Sequence, residues 1–460
     1  MKTTIAVALT VGLVALFATP AMADAQPSAR DIQAAVDSYL ASSDQDANLV
    51  GGPGSAGYDQ GFWIKGGDFS LKINLTLQAR YEAFLYDSAV KANANPGGHL
   101  SGFSLPRATL KFSGTAPCSI SYYMELEFGH WGEDTVAQRG PGGNLGPLDQ
   151  SLNFDNTREA WIQWSSSDMF NVRMGQIRTA NTRQMMIAPE QQQFVDVAMA
   201  SAFLGQTMAG YTDRNRDHGV AFHGAFGCNN EWSYLFTITN GDGGDSIRNV
   251  IDTRTSDGLA FSGRLNWAFL KPIGYSEGAL RQTTCDWYGE VGIWGYYYAD
   301  RVDRPHTQIS DALRAGIDLA LGYGGLSFTA AYNMTSDENG VNGKVDSAAF
   351  LAQLGYHFPG TAWEIAVRYD AYDVDQDAVA FGAAGPFGAA DGAVSEFAFG
   401  VNYYLNGHGN KLQLDASFIS GADAGSSLIF DPYTGYPGNQ AANGDNTYGM
   451  LLRFQWQLAL

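Results

Sequence analysis

The sequence has 460 residues and a formal net charge of −20. Such an acidic chain repels the phosphate backbone of nucleic acids, so we exclude nucleic acid as a partner. The 55 glycines and the 23 Tyr, 26 Phe and 10 Trp residues are typical of an all-β protein with many turns and many aromatic side chains on its strands.

Residues 1–23 have the pattern of a secretory signal peptide. Lys2 supplies the positive charge, an apolar run follows, and Ala21-Met22-Ala23 forms a small-residue cleavage site. We therefore expect export from the cytoplasm and cleavage after Ala23. No later segment has the roughly 18 uninterrupted apolar residues that a membrane-spanning helix needs.

Residues 24–60 read as a separate piece. Ile32, Val36 and Leu40 lie at helical spacing and predict a short amphipathic helix, which a Gly- and Pro-rich linker follows at residues 51–54. Two interpretations are open for this piece: a periplasmic plug or oligomer contact, or a frayed leader. Residues 61–460 form the main region.

From residue 69 onward, apolar and polar residues alternate with the period of two that is typical of strands. Residues 69–86 place Leu71, Ile73 and Leu75 on one face and polar residues on the other. About sixteen such segments follow one another to the end of the chain. Short turns between them alternate with long, polar, Gly-rich loops, although the turn at residues 272–282 is longer than the others.

The last segment, residues 446–460, shows the pattern most clearly. Phe454, Trp456 and Leu458 share one face, while Arg453 and Gln455 lie on the other. An apolar face toward lipid and a polar face toward a lumen explain this strand, and pairing with the first strand removes its edge. The sequence therefore predicts an all-β fold: a transmembrane antiparallel β-barrel of about sixteen strands, with short periplasmic turns and long extracellular loops.

Several segments carry a family resemblance. They are residues 61–82 (GFWIKGGDFSLKINLTLQARYE), 170–184 (FNVRMGQIRTANTRQ), 214–241 (RNRDHGVAFHGAFGCNNEWSYLFTITNG), 359–370 (PGTAWEIAVRYD) and 400–407 (GVNYYLNG). Residues 61–460 resemble the phosphate-selective porin O/P family. The resemblance implies a sixteen-stranded barrel in the outer membrane of a Gram-negative-type bacterium, usually a homotrimer of separate pores, with an inward-folded third loop and a basic lumen. Outer-membrane lipid and lipopolysaccharide are its expected surroundings.

Alternation and loop position assign a set of basic side chains to the pore. We expect them to bind anions, because guanidinium groups donate bidentately to phosphate oxygens. The set comprises Arg80, Arg107, Lys111, Arg173, Arg178, Arg183, Arg264 and Arg368. The alternative is that acidic neighbours on the same wall, such as Glu82 beside Arg80, neutralise these charges and stiffen the barrel.

Residues 179–211 form the predicted constriction loop. The loop is long and richer in apolar residues than an exposed loop, so folding into the lumen would bury them. Its key residues are Met185, Glu190, Phe194 and Asp196. The alternative is a loop that packs over a neighbouring protomer.

The predicted function is passive diffusion of small hydrophilic solutes, with anions such as phosphate favoured. A general or cation-preferring porin, a structural or surface-display barrel that binds cations through acidic loops, and a soluble secreted all-β protein remain open. No catalytic residue, metal ligand or cofactor is expected, because the histidines form no i,i+4 pair and no GxSxG motif occurs. Cys118, Cys228 and Cys285 permit one disulfide or none.

Overall fold

The computed structural model describes residues 54–86, 99–129, 157–201, 215–241, 259–278, 285–298, 311–339, 343–374, 392–421 and 447–460. The chain divides into two compact units, Met1–Gly67 and Asp68–Leu460. The predicted signal peptide and the predicted helix after it lie outside the described residues. Both stay predictions.

The described part of the first unit is a hairpin. Strand β1 (Ser55–Tyr58) pairs antiparallel with strand β2 (Phe62–Gly66), and the rings of Tyr58 and Phe62 meet edge to face at 5.3 Å. Residues 55–58, which follow the predicted linker at residues 51–54, therefore form a strand. Backbone pairing and the ring contact order them as a strand.

In the described part of the second unit, sixteen strands follow one another: β3 (Phe69–Tyr86), β4 (His99–Ala116), β5 (Ile120–Glu127), β6 (Thr157–Ser167), β7 (Phe170–Arg178), β8 (Arg216–Phe226), β9 (Trp232–Thr239), β10 (Ala260–Trp267), β11 (Tyr288–Tyr298), β12 (Asp311–Tyr323), β13 (Leu326–Asn339), β14 (Gly343–His357), β15 (Trp363–Val374), β16 (Gly392–Asn406), β17 (Asn410–Gly421) and β18 (Thr447–Ala459). Each strand pairs antiparallel with the next one, and β18 pairs with β3. The sheet is therefore a closed barrel, as the alternation predicts.

Burial along β18 confirms which face points inward. Arg453, Gln455 and Gln457 are buried, whereas Trp456 on the other face is 55% exposed. The same arrangement, with polar side chains buried and apolar side chains exposed, holds around the barrel. Phe103 and Met174 are among the exposed apolar side chains. Polar residues inside and apolar residues outside suit a barrel surrounded by lipid.

Aromatic pairs mark the end of the barrel that carries the short turns. Trp232 stacks on Trp267 at 5.5 Å, and Trp287 stacks on Tyr323 at 4.5 Å. All four residues lie at the ends of strands or just beyond them. Aromatic girdles of this kind lie at the membrane–water interface, because one end of each ring system is apolar and the other is polar.

The turn between β12 and β13 shows how sequence sets these short connections. Tyr323 pairs with Leu326, so only Gly324 and Gly325 form the turn, with φ of +57° and +94°. A two-residue hairpin turn of type I′ needs positive φ at both positions, which glycine adopts without steric cost. The cysteines that the structure describes, Cys118, Cys228 and Cys285, are all free and exposed, so they form no disulfide.

Candidate functional site

A loop that follows β7 fills much of the barrel interior; we call residues 179–201 the inward loop. Phe194 packs against Ala366 and Ala398, and Ala198 packs against Ala331 and Leu351. The alanines of the wall leave room for the loop, so its apolar residues are buried as their composition predicts. Residues 202–211 of the predicted constriction loop lie outside the described residues.

Backbone hydrogen bonds hold the inward loop to the wall from both directions. Three of its amides donate to wall carboxylates: Arg183 to Asp318 (3.0 Å), Val195 to Asp415 (3.1 Å) and Ala200 to Asp370 (3.0 Å). Wall side chains in turn donate to its carbonyls, among them Arg368 to Asp196 (2.9 Å), Lys411 to Gln192 (2.6 Å) and Gln457 to Glu190 (2.9 Å). A buried irregular backbone needs such partners, because unpaired N–H and C=O groups are costly away from water.

Asp196 is the main ionic anchor of the inward loop. Its carboxylate lies 2.7 Å from Arg80, 2.9 Å from Arg107 and 3.8 Å from Arg453. Burial by itself would raise the pKa of Asp196, but the three guanidinium charges outweigh burial and lower it to about 2. The carboxylate is therefore ionised at any physiological pH, and it joins the inward loop to β3, β4 and β18.

Glu190 provides a second ionic anchor. It lies 2.5 Å from the ammonium nitrogen of Lys111 on β4. Burial would raise the pKa of Glu190, yet the charge and the hydrogen bond of Lys111 lower it. The acidic side chains of the inward loop are thus matched by cations on the wall.

A second segment enters the lumen from the side of the short turns; we call residues 274–278 the inner turn. The Glu277 side chain is 3% exposed and accepts hydrogen bonds from the Gln184 side chain (3.0 Å) and the Gln193 amide (2.9 Å). The Glu277 amide donates to the Gln191 carbonyl at 3.0 Å. The unusual length of the connector at residues 272–282 was the signal for this feature, but its inward position was not predicted.

The predicted pore-lining cations lie inside the barrel, and seven of the eight have a carboxylate partner. Besides Arg80, Arg107 and Lys111, these pairs are Arg178 with Glu159 (2.9 Å), Arg183 with Glu290 (3.5 Å), Arg264 with Asp318 (2.6 Å) and Arg368 with Glu396 (3.0 Å). A buried ion pair fixes geometry, but its charges cancel at a distance. These seven residues therefore hold the interior together.

Arg173 on β7 differs from the other seven cations. Among the described residues no carboxylate lies within ion-pair distance, and its Nε and Nη2 both donate to Gln163 Oε1, at 3.1 and 2.9 Å. Its guanidinium carbon lies 3.9 Å from the ring centroid of Trp161. Arg173 is half-buried on the lumen face of β7, where it lies opposite Gln163 of β6.

The loop residues named from the sequence share one environment. Met185, Phe194 and Asp196 are 8%, 1% and 1% exposed, so all three belong to the buried body of the inward loop. Glu277 and the wall residues Trp161 and Gln163 were not among the predicted site residues. Alternation along β6 is the signal that places Trp161 and Gln163 on the lumen face.

Comparison with known proteins bears on the family and on the fold. A family model described as phosphate-selective porin O and P matches residues 73–427. No curated protein has a significantly similar sequence. The described residues include no helix that is both long and apolar enough to cross a membrane.

Among solved structures, the anion-selective porin from Comamonas acidovorans has a TM-score of 0.53, with 15% sequence identity over 85% of this chain and 100% of that chain. OmpT of Vibrio cholerae has a TM-score of 0.47, with 10% identity over 85% and 98% of the two chains. The outer membrane channel DcaP of Acinetobacter baumannii has a TM-score of 0.46, with 12% identity over 84% and 97%. At these identities the likeness to the first structure shows the fold alone. The family match covers well over half of the sequence, so the chain belongs to the phosphate-selective porin O and P family and is an outer-membrane porin.

Proposed function

We propose that this porin is a passive diffusion channel for small hydrophilic anions, phosphate among them, and that it performs no chemistry on them. The proposal depends on one observation: the lumen cation Arg173 has no carboxylate partner among the described residues. The family description as phosphate-selective and the anion selectivity named for the Comamonas acidovorans porin support the same direction.

A passing ion experiences mainly those charges that have no partner of opposite sign beside them. An ion pair at about 3 Å is nearly neutral at several times that distance, so the paired residues contribute little net field. Arg173 contributes a full charge, and a guanidinium stays protonated at every physiological pH. A fixed cation in a narrow lumen raises the local concentration of anions and lowers their entry barrier.

The paired cations have a different role in the same pathway, because they hold the inward loop in place. Arg80, Arg107 and Lys111 hold Asp196 and Glu190, and through them they hold the inward loop. The inward loop and the inner turn together form the narrowest passage in this proposal. Met185, Glu190, Phe194 and Asp196 then set the width of the passage, and the remaining paired arginines keep it rigid.

Export and assembly complete the proposal. Residues 1–23 direct secretion and are removed after Ala23, and the mature chain inserts among outer-membrane lipid and lipopolysaccharide. The exposed apolar belt that includes Phe103 and Met174 suits a lipid neighbour, and family resemblance favours a homotrimer of separate pores. Cross-linking of the porin in native membranes, followed by denaturing electrophoresis, tests the trimer; a cross-linked product limited to monomer contradicts it.

The reversal potential in a tenfold KCl gradient across a planar bilayer tests the proposed selectivity. We expect an anion-selective value for the unmodified porin and a shift toward cations in R173Q. Lys271, an exposed lysine paired with Asp286 at the turn end of the barrel, provides the matched control K271Q, which removes the same charge outside the lumen. A cation-selective unmodified porin would favour the alternative of a cation-preferring channel. Equal shifts in R173Q and K271Q would remove Arg173 as the cause.

A further inference from the structure

We propose that the lumen wall near the short turns carries a binding subsite for carboxylates that bear a flat aromatic ring. The subsite consists of Tyr123 on β5, Trp161 and Gln163 on β6 and Arg173 on β7; we call it the wall subsite. It deepens the proposed anion conduction and rests on it, because the solute must enter by the same pathway. The wall subsite adds aromatic carboxylates to the inorganic anions of the proposed function.

Stacked flat groups form the body of the wall subsite. Tyr123 and Trp161 are cross-strand partners, and their rings stack with centroids 5.4 Å apart and planes inclined by 23°. The Arg173 guanidinium lies over the indole of Trp161. All three side chains are half-buried, so each keeps part of its surface toward the lumen. An apolar surface thus lies beside a cation that forms no ion pair with a described carboxylate.

Gln163 holds the cation of the wall subsite in place. Its Oε1 accepts from two nitrogens of Arg173 and lies 2.9 Å from Nε2 of His223 on β8. The guanidinium is therefore oriented before any solute arrives, which reduces the entropy lost on binding. Its Nη1 donates to no described residue, so two N–H groups of a fixed fork remain for a solute.

Trp161 supplies a further unused donor. Its Nε1 is buried and has no hydrogen-bond partner among the described residues. A buried donor without an acceptor is unfavourable, so an acceptor brought to it gains more than one brought to a solvated group. The two donors belong to side chains in direct contact, because the Arg173 guanidinium carbon lies 3.9 Å from the centroid of the Trp161 ring.

The neighbouring carboxylates leave this cation free. Glu125 accepts from the Tyr123 hydroxyl at 2.8 Å, and Glu159 is paired with Arg178 and Arg216. Neither forms an ion pair with Arg173. A single available guanidinium matches one negative charge, which favours a monoanionic carboxylate over a phosphate dianion. The ring surfaces of Tyr123 and Trp161 favour an aromatic group beside that carboxylate.

The position of the wall subsite gives the direction of access. Arg173 lies close to Phe170, where β7 begins after the short turn, so the subsite faces the turn end of the lumen. Benzoate and acetate differ by the ring alone, and they serve as the two probes. Each is added on the turn side while the chloride current through single channels is recorded in a planar bilayer.

We expect benzoate to block the current at a concentration about fivefold lower than acetate, the factor typical of one aromatic contact. W161L should remove the preference for benzoate without a shift in reversal potential, because no charge changes. W161F keeps a ring and loses the N–H donor, so it should keep the preference while both half-blocking concentrations rise. R173Q should abolish the block by both probes. K271Q should be blocked by each probe to the same extent as the unmodified porin. Heat-modifiable migration on gels shows that each variant is folded.

Equal block by benzoate and acetate in the unmodified porin would overturn the wall subsite and leave the proposed anion selectivity standing. A preference for benzoate that survives W161L would also overturn it. Conversely, a Trp161-dependent benzoate block in a cation-selective pore would support the subsite and contradict the proposed function. Inorganic phosphate as potent a blocker as benzoate would show an unspecific anion site, which also overturns the ring-binding part.

Discussion

Replacing Asp196 by Asn changes the charge of the proposed narrow passage at one defined point. In the surrounding cluster, Arg80, Arg107 and Arg453 face three carboxylates: Asp196 itself, Glu82 and Asp415. The D196N variant leaves one guanidinium in excess within the lumen. The porin should therefore become more anion-selective, although no cation has been added.

The expected magnitude follows from Coulomb's law. A monovalent anion that passes about 7 Å from one unpaired charge gains about 1 kcal/mol at an effective dielectric constant of about 40, between the values for protein and water. A free-energy difference of that size changes a permeability ratio about fivefold. The reversal potential in a tenfold KCl gradient measures this ratio directly.

D286N is the matched control for D196N. It removes the same charge from an exposed ion pair outside the lumen, where screening limits its reach to about 8 Å at physiological ionic strength. We expect D286N to keep the reversal potential of the unmodified porin. Equal shifts in the two variants, or a shift of D196N toward cations, would refute the assignment of Asp196 to the conduction pathway.

Three more predictions concern the inward loop, the inner turn and barrel closure. E277Q should raise open-channel noise relative to E231Q, because the hydrogen bonds that the charged Glu277 accepts from the inward loop contribute about 1.5–3 kcal/mol each. Glu231 is a half-buried carboxylate on the turn before β9, where it accepts a backbone hydrogen bond from Asn229 at 2.9 Å. Equal noise in the two variants contradicts the anchoring role of Glu277. Folding lowers the pKa of Asp196 to about 2, so its ion pairs are complete above about pH 4 and are lost as the pH falls through about 2. Conductance should stay constant from pH 8 to 5 and rise below pH 3, and a rise already at pH 5 would point to another group. Deletion of residues 456–460 should prevent insertion, because β18 then loses pairs with both β17 and β3; heat-modifiable migration of the truncated porin would show otherwise.

The strands were predictable because their signal is local. In β18, polar and apolar residues alternate. Arg453 and Gln455 therefore indicate the lumen side, and Phe454 and Trp456 indicate the lipid side. The roles of the basic residues were not predictable in this way. Arg80 and Arg173 both follow from alternation as lumen residues, but only Arg80 meets the Asp196 carboxylate, which comes from a distant part of the chain. Pairing of this kind depends on where the inward loop lies, and no local pattern records that.

The contacts of Asp196 also bear on how the barrel is assembled. β3 and β18 are the first and last strands of the barrel, and Arg80 reaches Gln455 across 375 residues of chain. Joining such distant segments at this seam carries a larger loop-closure entropy than pairing two neighbouring strands. Asp196 contacts Arg80 on one side of the seam and Arg453 on the other, and Gln457 binds the Glu190 carbonyl beside them. The inward loop therefore links β3 to β18. Docking of the loop inside the barrel and pairing of these two strands stabilise each other, so that they become one cooperative event.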